Sequence, residues 1–204
     1  MMKQFLAVEL SKTQNYKLLT GGIIPRPIAF VTTHDKQGTL NAAPFSFFNA
    51  VCAEPPMVMI SVGRKDGERK DTTLNIFDNE EFVVHITDEE IIEAVNTTAA
   101  SHARSVNELN FTDLEVVPSE SVKVPGVKQA KIRLECRLHQ LIPLGDEIEG
   151  SDLIIGEVVH YHIDDDIYYD DTKIDADKLN AIARLSGSNY SKLGKQFTIE
   201  RPES

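Results

Sequence analysis

From Ala130 to Leu138, apolar and charged side chains alternate without a break. Ala130, Ile132, Leu134, Cys136 and Leu138 fall on one parity, and Lys131, Arg133, Glu135 and Arg137 on the other. A period of two predicts a β-strand with one buried face and one wet face. Leu153–Val159 is a second, more apolar run and pairs with the first across Gly145–Ser151. Further strands are predicted at Ile28–Thr33, Met57–Val62 and Glu81–Ile86. The turn residues 34–38 join the first of these to an extended segment at Thr39–Ala42 as a hairpin. Pro25 and Pro27 bracket Arg26 and keep the entry to that hairpin extended.

Helical patterning is sparse. Thr72–Phe77 reads as a helix start, and Thr87–Glu90 as a capping box opening a helix that runs to about Asn96. An amphipathic helix is expected from Asp175 to Leu185, with Leu179, Ile182 and Leu185 on one side. Short strands joined by turns, with no strand–helix–strand rhythm, predict a mainly β, antiparallel barrel, closed or nearly closed, with a few capping helices.

The 204 residues suit a single domain spanning 1–204. No apolar run approaches the roughly 20 residues needed to cross a bilayer, so no membrane association is expected. The N-terminus lacks a signal-peptide pattern and the two cysteines form no CxxC, which points to the reducing cytoplasm. The net charge of −11 disfavours a nucleic-acid partner and requires any anionic ligand to be held by a local basic site.

One candidate for such a site is Gly63–Thr73, which carries Arg64, Lys65, Arg69 and Lys70 before Thr72 and Thr73 at a helix start. Helix N–H groups, hydroxyls and cations together bind phosphate. Asp66, Glu68 and Asp71 offset much of that charge, so a solvated loop is the competing reading. His160 and His162 share a strand face, but no third ligand at a recognisable spacing accompanies them, and no metal site is assigned. Ser46 lacks a nucleophile-elbow context, and no catalytic side chain is assigned.

The stretch NAAPFSFFNAVCAEPP, residues 41–56, is too aromatic for an ordinary loop and too polar for a plain core strand. Its alanines permit close approach of a flat ring, Phe45, Phe47 and Phe48 offer apolar contact, and Asn41, Ser46 and Asn49 offer polar groups. A flat heteroaromatic with polar edges would match. A bulged barrel strand whose phenylalanines fill the core would also produce this pattern.

The segments Pro25–Thr33, Gly38–Phe48 and Pro55-Pro56 resemble the flavin reductase-like family, whose members include the reductase component of nitrilotriacetate monooxygenase and flavoredoxin. The resemblance continues through Lys70-Asp71-Thr72, Glu81–Val84, Leu134-Glu135-Cys136, Ile155–Val158, Gly187–Tyr190 and Arg201-Pro202. It implies an FMN-binding split β-barrel and a homodimer with FMN near the subunit interface. It further implies that Asn41, Ala43, Pro44, Phe45, Ser46, Phe47, Phe48 and Asn49 run along the isoalloxazine, with Thr32 and Thr33 on the neighbouring strand. Ser61, Arg64, Lys70 and Thr72 would hold the phosphate. The implied activity is NAD(P)H:flavin oxidoreduction, with NADH or NADPH as donor and an oxygenase or other electron acceptor as partner. The alternative is an FMN-bound electron carrier of the flavoredoxin kind. Many reductases of this superfamily carry Gly-Asp-His in a loop where this chain has Gly145-Asp146-Glu147. A carboxylate does not replace imidazole there, and the departure bears on nicotinamide use rather than on FMN binding.

Overall fold

The computed structural model describes residues 1–202. Seven antiparallel strands form one sheet: β1 (Ala29–His34), β2 (Leu40–Phe45), β3 (Phe48–Ala53), β4 (Pro56–Gly63), β5 (Glu81–Ile86), β6 (Ile132–Leu144) and β7 (Ser151–Ile163). Their order across the sheet is β2-β1-β5-β6-β7-β4-β3. The edge strands β2 and β3 are consecutive in the chain and joined only by Ser46 and Phe47. The sheet therefore curls until its two edges meet at a seam, and the 41–56 stretch is that seam.

The barrel interior is filled by side chains including Val31, Phe45, Phe48, Ile60, Phe82, Leu134, Cys136 and Ile154. A second apolar layer, with Phe30, Ala42, Ile91, Val95, Leu109 and Val127, covers the outer face of β1 and β2. Burial on both faces takes in nearly all of β1, including the hydroxyls of Thr32 and Thr33. Gly156, beside a register shift between β6 and β7, marks a close approach. A Cβ there would lie 2.3 Å from Cζ of Phe82, so only glycine lets that ring fill the interior.

The alternation on β6 holds, but its charged parity is not uniformly wet. Glu135 is fully buried beneath the 119–124 segment, whose backbone N–H groups need an acceptor. The strand begins at Ile132 and continues to Leu144.

Helices α1 (Lys12–Gly22), α2 (Asp71–Asn79), α3 (Ile92–Thr97) and α4 (Ala176–Leu179) decorate the barrel. Helix α1 has no strong apolar stripe and begins at a Ser11–Gln14 capping box. Among the described residues, no helix is long and apolar enough to cross a membrane. The capping box expected at Thr87–Glu90 does not form: α3 begins at Ile92 with no side-chain cap, and Asp88 instead accepts from the N–H groups of Glu90 at 2.8 Å and Ile91 at 3.3 Å in the preceding turn.

The helix expected over 175–185 is only four residues long. Asn180 takes a left-handed conformation, and Ile182–Arg184 becomes a strand between Arg26–Pro27 and Tyr190–Lys192. Leu179 and Ile182 have apolar spacing that serves either structure. The N–H of Ile182, bonded to the carbonyl of Thr87 at 3.0 Å, favours the extended chain.

Candidate functional site

The seam and the start of α2 come together. In the β1–β2 hairpin, Thr33 lies opposite Asn41 and Phe30 opposite Pro44. Asn41 is buried, and its amide oxygen accepts from the Thr72 hydroxyl at 2.9 Å and from Thr33 at 3.4 Å. Asn75 donates to the Thr33 hydroxyl at 3.1 Å. On its other side, Asn41 donates to Glu108, and the second Glu108 oxygen accepts the N–H of Ala42 at 2.9 Å. These bonds fix the 41–45 strand to the start of α2, 31 residues later in the chain.

Helix α2 suits an anion. Its first N–H groups have no intrahelical partner, and Lys70 at the N-cap provides no side-chain cap. The Thr73 hydroxyl in the first turn is buried and, among the described residues, unpartnered. Lys70 Nζ lies 5.9 Å over the Phe45 ring. Desolvation by surrounding protein, and then the charge of Lys65, hold its ammonium below the ordinary lysine range. Arg104 reaches the same turn, donating to Asn75 at 3.1 Å and lying 3.6 Å from Asp71. The helix dipole, uncapped N–H groups and two cations fit a phosphate monoester.

The other predicted residues have partners of their own or face the core or solvent. Arg64 is held by Asp152 at 2.8 Å and by the carbonyls of Asp146 and Glu147. Arg69 also pairs with Asp152, at 3.3 Å. The Thr32 hydroxyl donates to the carbonyl of Pro125 in the covering layer. Ser61 bonds through its N–H to the carbonyl of Phe47 at 2.8 Å, which ties β4 to the seam. Phe45 and Phe48 point into the core, Ala43 packs against it, and Phe47 and Asn49 are exposed.

Pro44, Phe45 and Ser46 also line a cavity of about 200 Å³ beside the seam. Its other walls come from α1, α3 and the 184–190 turn. Arg26 anchors this corner. It donates to the carbonyls of Thr20, Ile23 and Leu185, and more weakly to the Ser46 hydroxyl at 3.5 Å. Arg184 bonds the Tyr190 hydroxyl and the carbonyl of Gly187, and Tyr190 donates to Asn96. Glu108, Arg104, Asn96 and Arg184 carried no sequence signal. Arg26 was marked only by its flanking prolines.

The two strand histidines form a different arrangement. His160 stacks on His162 with centroids 4.6 Å apart, and His162 Nε2 lies 2.5 Å from the Glu135 carboxylate. Burial pushes the Glu135 pKa up, but backbone N–H bonds from Glu120 and Ser121, together with His162, more than offset it and leave it below the usual value. No group of side chains suited to a metal occurs among the described residues.

A split barrel with a polar seam and a phosphate-ready helix start defines a flavin-binding class of protein. Residues 21–176 match the family described as flavin reductase like domain, and the chain belongs to that family. It is similar to the crystal structure of nitrilotriacetate monooxygenase component B from Bacillus cereus. The two are 48% identical with a TM-score of 0.95, over 98% of this chain and 99% of that one. It is also similar to 2-nitrobenzoate 2-nitroreductase from Pseudomonas fluorescens, at 29% identity and a TM-score of 0.88 over 98% and 96% of the two chains. A split-barrel protein from Shewanella frigidimarina shares the fold at 19% identity, with a TM-score of 0.83 over 98% of this chain and 100% of that one.

Proposed function

We propose that this protein binds FMN and works as an NAD(P)H-dependent flavin reductase. The observation that carries the reading is the 2.9 Å bond from Thr72 to Asn41, which draws a ring-binding strand and a phosphate-binding helix start into one site. In this reading Lys70 and the uncapped N–H groups of α2 hold the phosphate. Asn41 is kept rigid by Glu108 and Thr72, so the strand from Ala43 to Ser46 presents a fixed edge to the ring. The Ser46 hydroxyl meets the polar rim, and the small side chain of Ala43 permits close approach. FMN, when bound, supplies the hydride acceptor for the nicotinamide. The chain's own contribution is binding, orientation and exclusion of water.

The same reading makes the molecule a homodimer. Tyr16, Leu18, Leu19, Ile23 and Ile24 on and after α1 are exposed, as are Val51 on the edge strand β3 and Phe197 and Ile199 in the tail. This apolar surface borders the seam through the Tyr16–Phe47 pair, whose ring centroids are 6.5 Å apart. A partner subunit would cover it. Similarity to a monooxygenase component supports delivery of reduced flavin to an oxygenase.

Glu147, where a histidine would favour nicotinamide contact, supports the flavoredoxin-type carrier as a second reading. Anaerobic stopped-flow mixing of the FMN-loaded protein with NADH and NADPH separates the two. Rapid bleaching of the flavin band is expected with one donor or both. Bound FMN that neither nicotinamide reduces would sink the reductase reading and leave the carrier. Light scattering at micromolar concentration tests the dimer, and a monomeric mass with FMN bound overturns it.

A further inference from the structure

We infer that the cavity beside the seam is a binding site for a small aromatic carboxylate. It is lined by two arginines, Arg26 and Arg184, and by no acidic residue among the described residues. The chain carries 32 acidic against 21 basic residues, so an acid-free pocket holding two cations stands against the background charge. Neither arginine has an acidic partner within 4 Å among the described residues; their bonds run to carbonyls and hydroxyls. Carbonyl dipoles offset part of the cost of burying the Arg26 charge but supply no counter-ion. A carboxylate would.

The remaining walls select the rest of the ligand. Ile28, Pro44, Phe45 and Val95 are apolar, and Tyr190 adds an aromatic face held in place by Arg184, whose guanidinium lies 4.5 Å from the ring centroid. A cavity of roughly 150 Å³ accommodates benzene, and this one measures about 200 Å³, leaving room for a carboxylate on the ring. An apolar concavity with a few convergent polar groups is the general form of a small-molecule site. The site shares Pro44, Phe45 and Ser46 with the strand assigned to the flavin. Its role as a substrate site therefore rests on the flavin reading, whereas its ligand chemistry does not.

The test is calorimetric titration of the FMN-loaded protein with benzoate and with benzyl alcohol, which has nearly the same shape and no charge. Benzoate is expected to bind roughly tenfold or more tightly than the alcohol. Arg184→Gln should remove that preference while FMN affinity, read by fluorescence quenching, stays unchanged. Because Arg184 also braces the 187–190 turn, Ala99→Phe provides a second variant. It narrows the cavity, leaves both arginines in place and should weaken both ligands. Equal binding of benzoate and the alcohol, or no binding of either, overturns the proposal. Competition between benzoate and FMN also overturns it, because the cavity would then be the flavin's own. Failure of FMN to bind while benzoate still does would remove the flavin reading and leave the anion site.

Discussion

Asn41 and Glu108, 67 positions apart in the chain, are joined by a buried 2.8 Å hydrogen bond from the amide of one to the carboxylate of the other. The other carboxylate oxygen takes the N–H of Ala42 on the outermost strand of the sheet. Glu108→Ala therefore leaves two buried donors unpaired. At about 1–3 kcal/mol for each unsatisfied group, the expected loss is roughly 2–6 kcal/mol of stability. Glu108→Gln, which retains one acceptor and leaves one donor unpaired, should cost less than the alanine variant but at least about half as much. Urea midpoints for the three proteins check this, and an unchanged midpoint in the alanine variant would show that the bond carries no stability. FMN affinity should fall in parallel, because Asn41 loses its Glu108 anchor and keeps only its bonds from Thr72 and Thr33.

FMN should bind more tightly than riboflavin, which has the same ring and no phosphate. Two or three charge-assisted hydrogen bonds, discounted for exposure and non-additivity, correspond to roughly 2–4 kcal/mol, or about 30- to 1000-fold. Lys70→Ala should reduce FMN affinity and leave riboflavin affinity unchanged. Thr72→Ala should weaken both ligands, because the Thr72 hydroxyl holds Asn41 on the ring side. Fluorescence-quenching titrations distinguish these patterns. Equal affinity of the wild type for the two flavins would return Gly63–Thr73 to a solvated charged loop.

Glu147→His should raise the rate of flavin reduction by NADH by roughly tenfold, about 1.4 kcal/mol of barrier, with little change in FMN affinity. Glu147 is exposed and its carbonyl is held by Arg64 at 3.2 Å, so the substitution leaves the loop's anchor intact. A change in FMN dissociation constant without a change in rate would place this loop in the flavin site.

His85 is fully buried and uses both ring nitrogens, 2.8 Å from the carbonyl of Phe30 and 2.8 Å from the N–H of Val127. Accepting from Val127 requires a neutral ring. Burial, with a smaller contribution from the charge of Arg133, lowers its pKa to about 4 against a donor bond to Phe30 that raises it. Between the ordinary value of about 6.5 and 4, the unfolded chain binds the proton and the folded chain does not. Stability is thus fully present above about pH 6.5 and falls as the pH drops towards 4, by about 3 kcal/mol from this group. His85→Gln should flatten that part of the profile in denaturant titrations across pH. An identical slope in the variant would assign the acid sensitivity to other groups.

The sequence by itself determined what depends on neighbours along the chain. The period-two pattern at Ile132–Leu138 and the run at β1 declared strands, because burial of alternate or of all side chains is written directly into residue order. For Lys70-Asp71-Thr72 and the 41–49 segment, residue order left a solvated loop and a core-filling strand as competing readings, and the flavin roles were implied by the family resemblance. Tertiary structure alone decided what those segments do with one another. Asp175–Leu185 has helical spacing, yet its second half is a strand because Arg26–Pro27 and the Thr87 carbonyl satisfy its backbone. Glu135 sits on a charged parity, yet it is buried because a distant loop offers three N–H groups. Arg64 and Lys70 look alike in a basic loop, yet Asp152, 88 residues further on, ties up the first and leaves the second over Phe45. Pairing of polar and charged groups across the fold costs or contributes a few kcal/mol at each site, and no periodicity in the chain records which partner arrives.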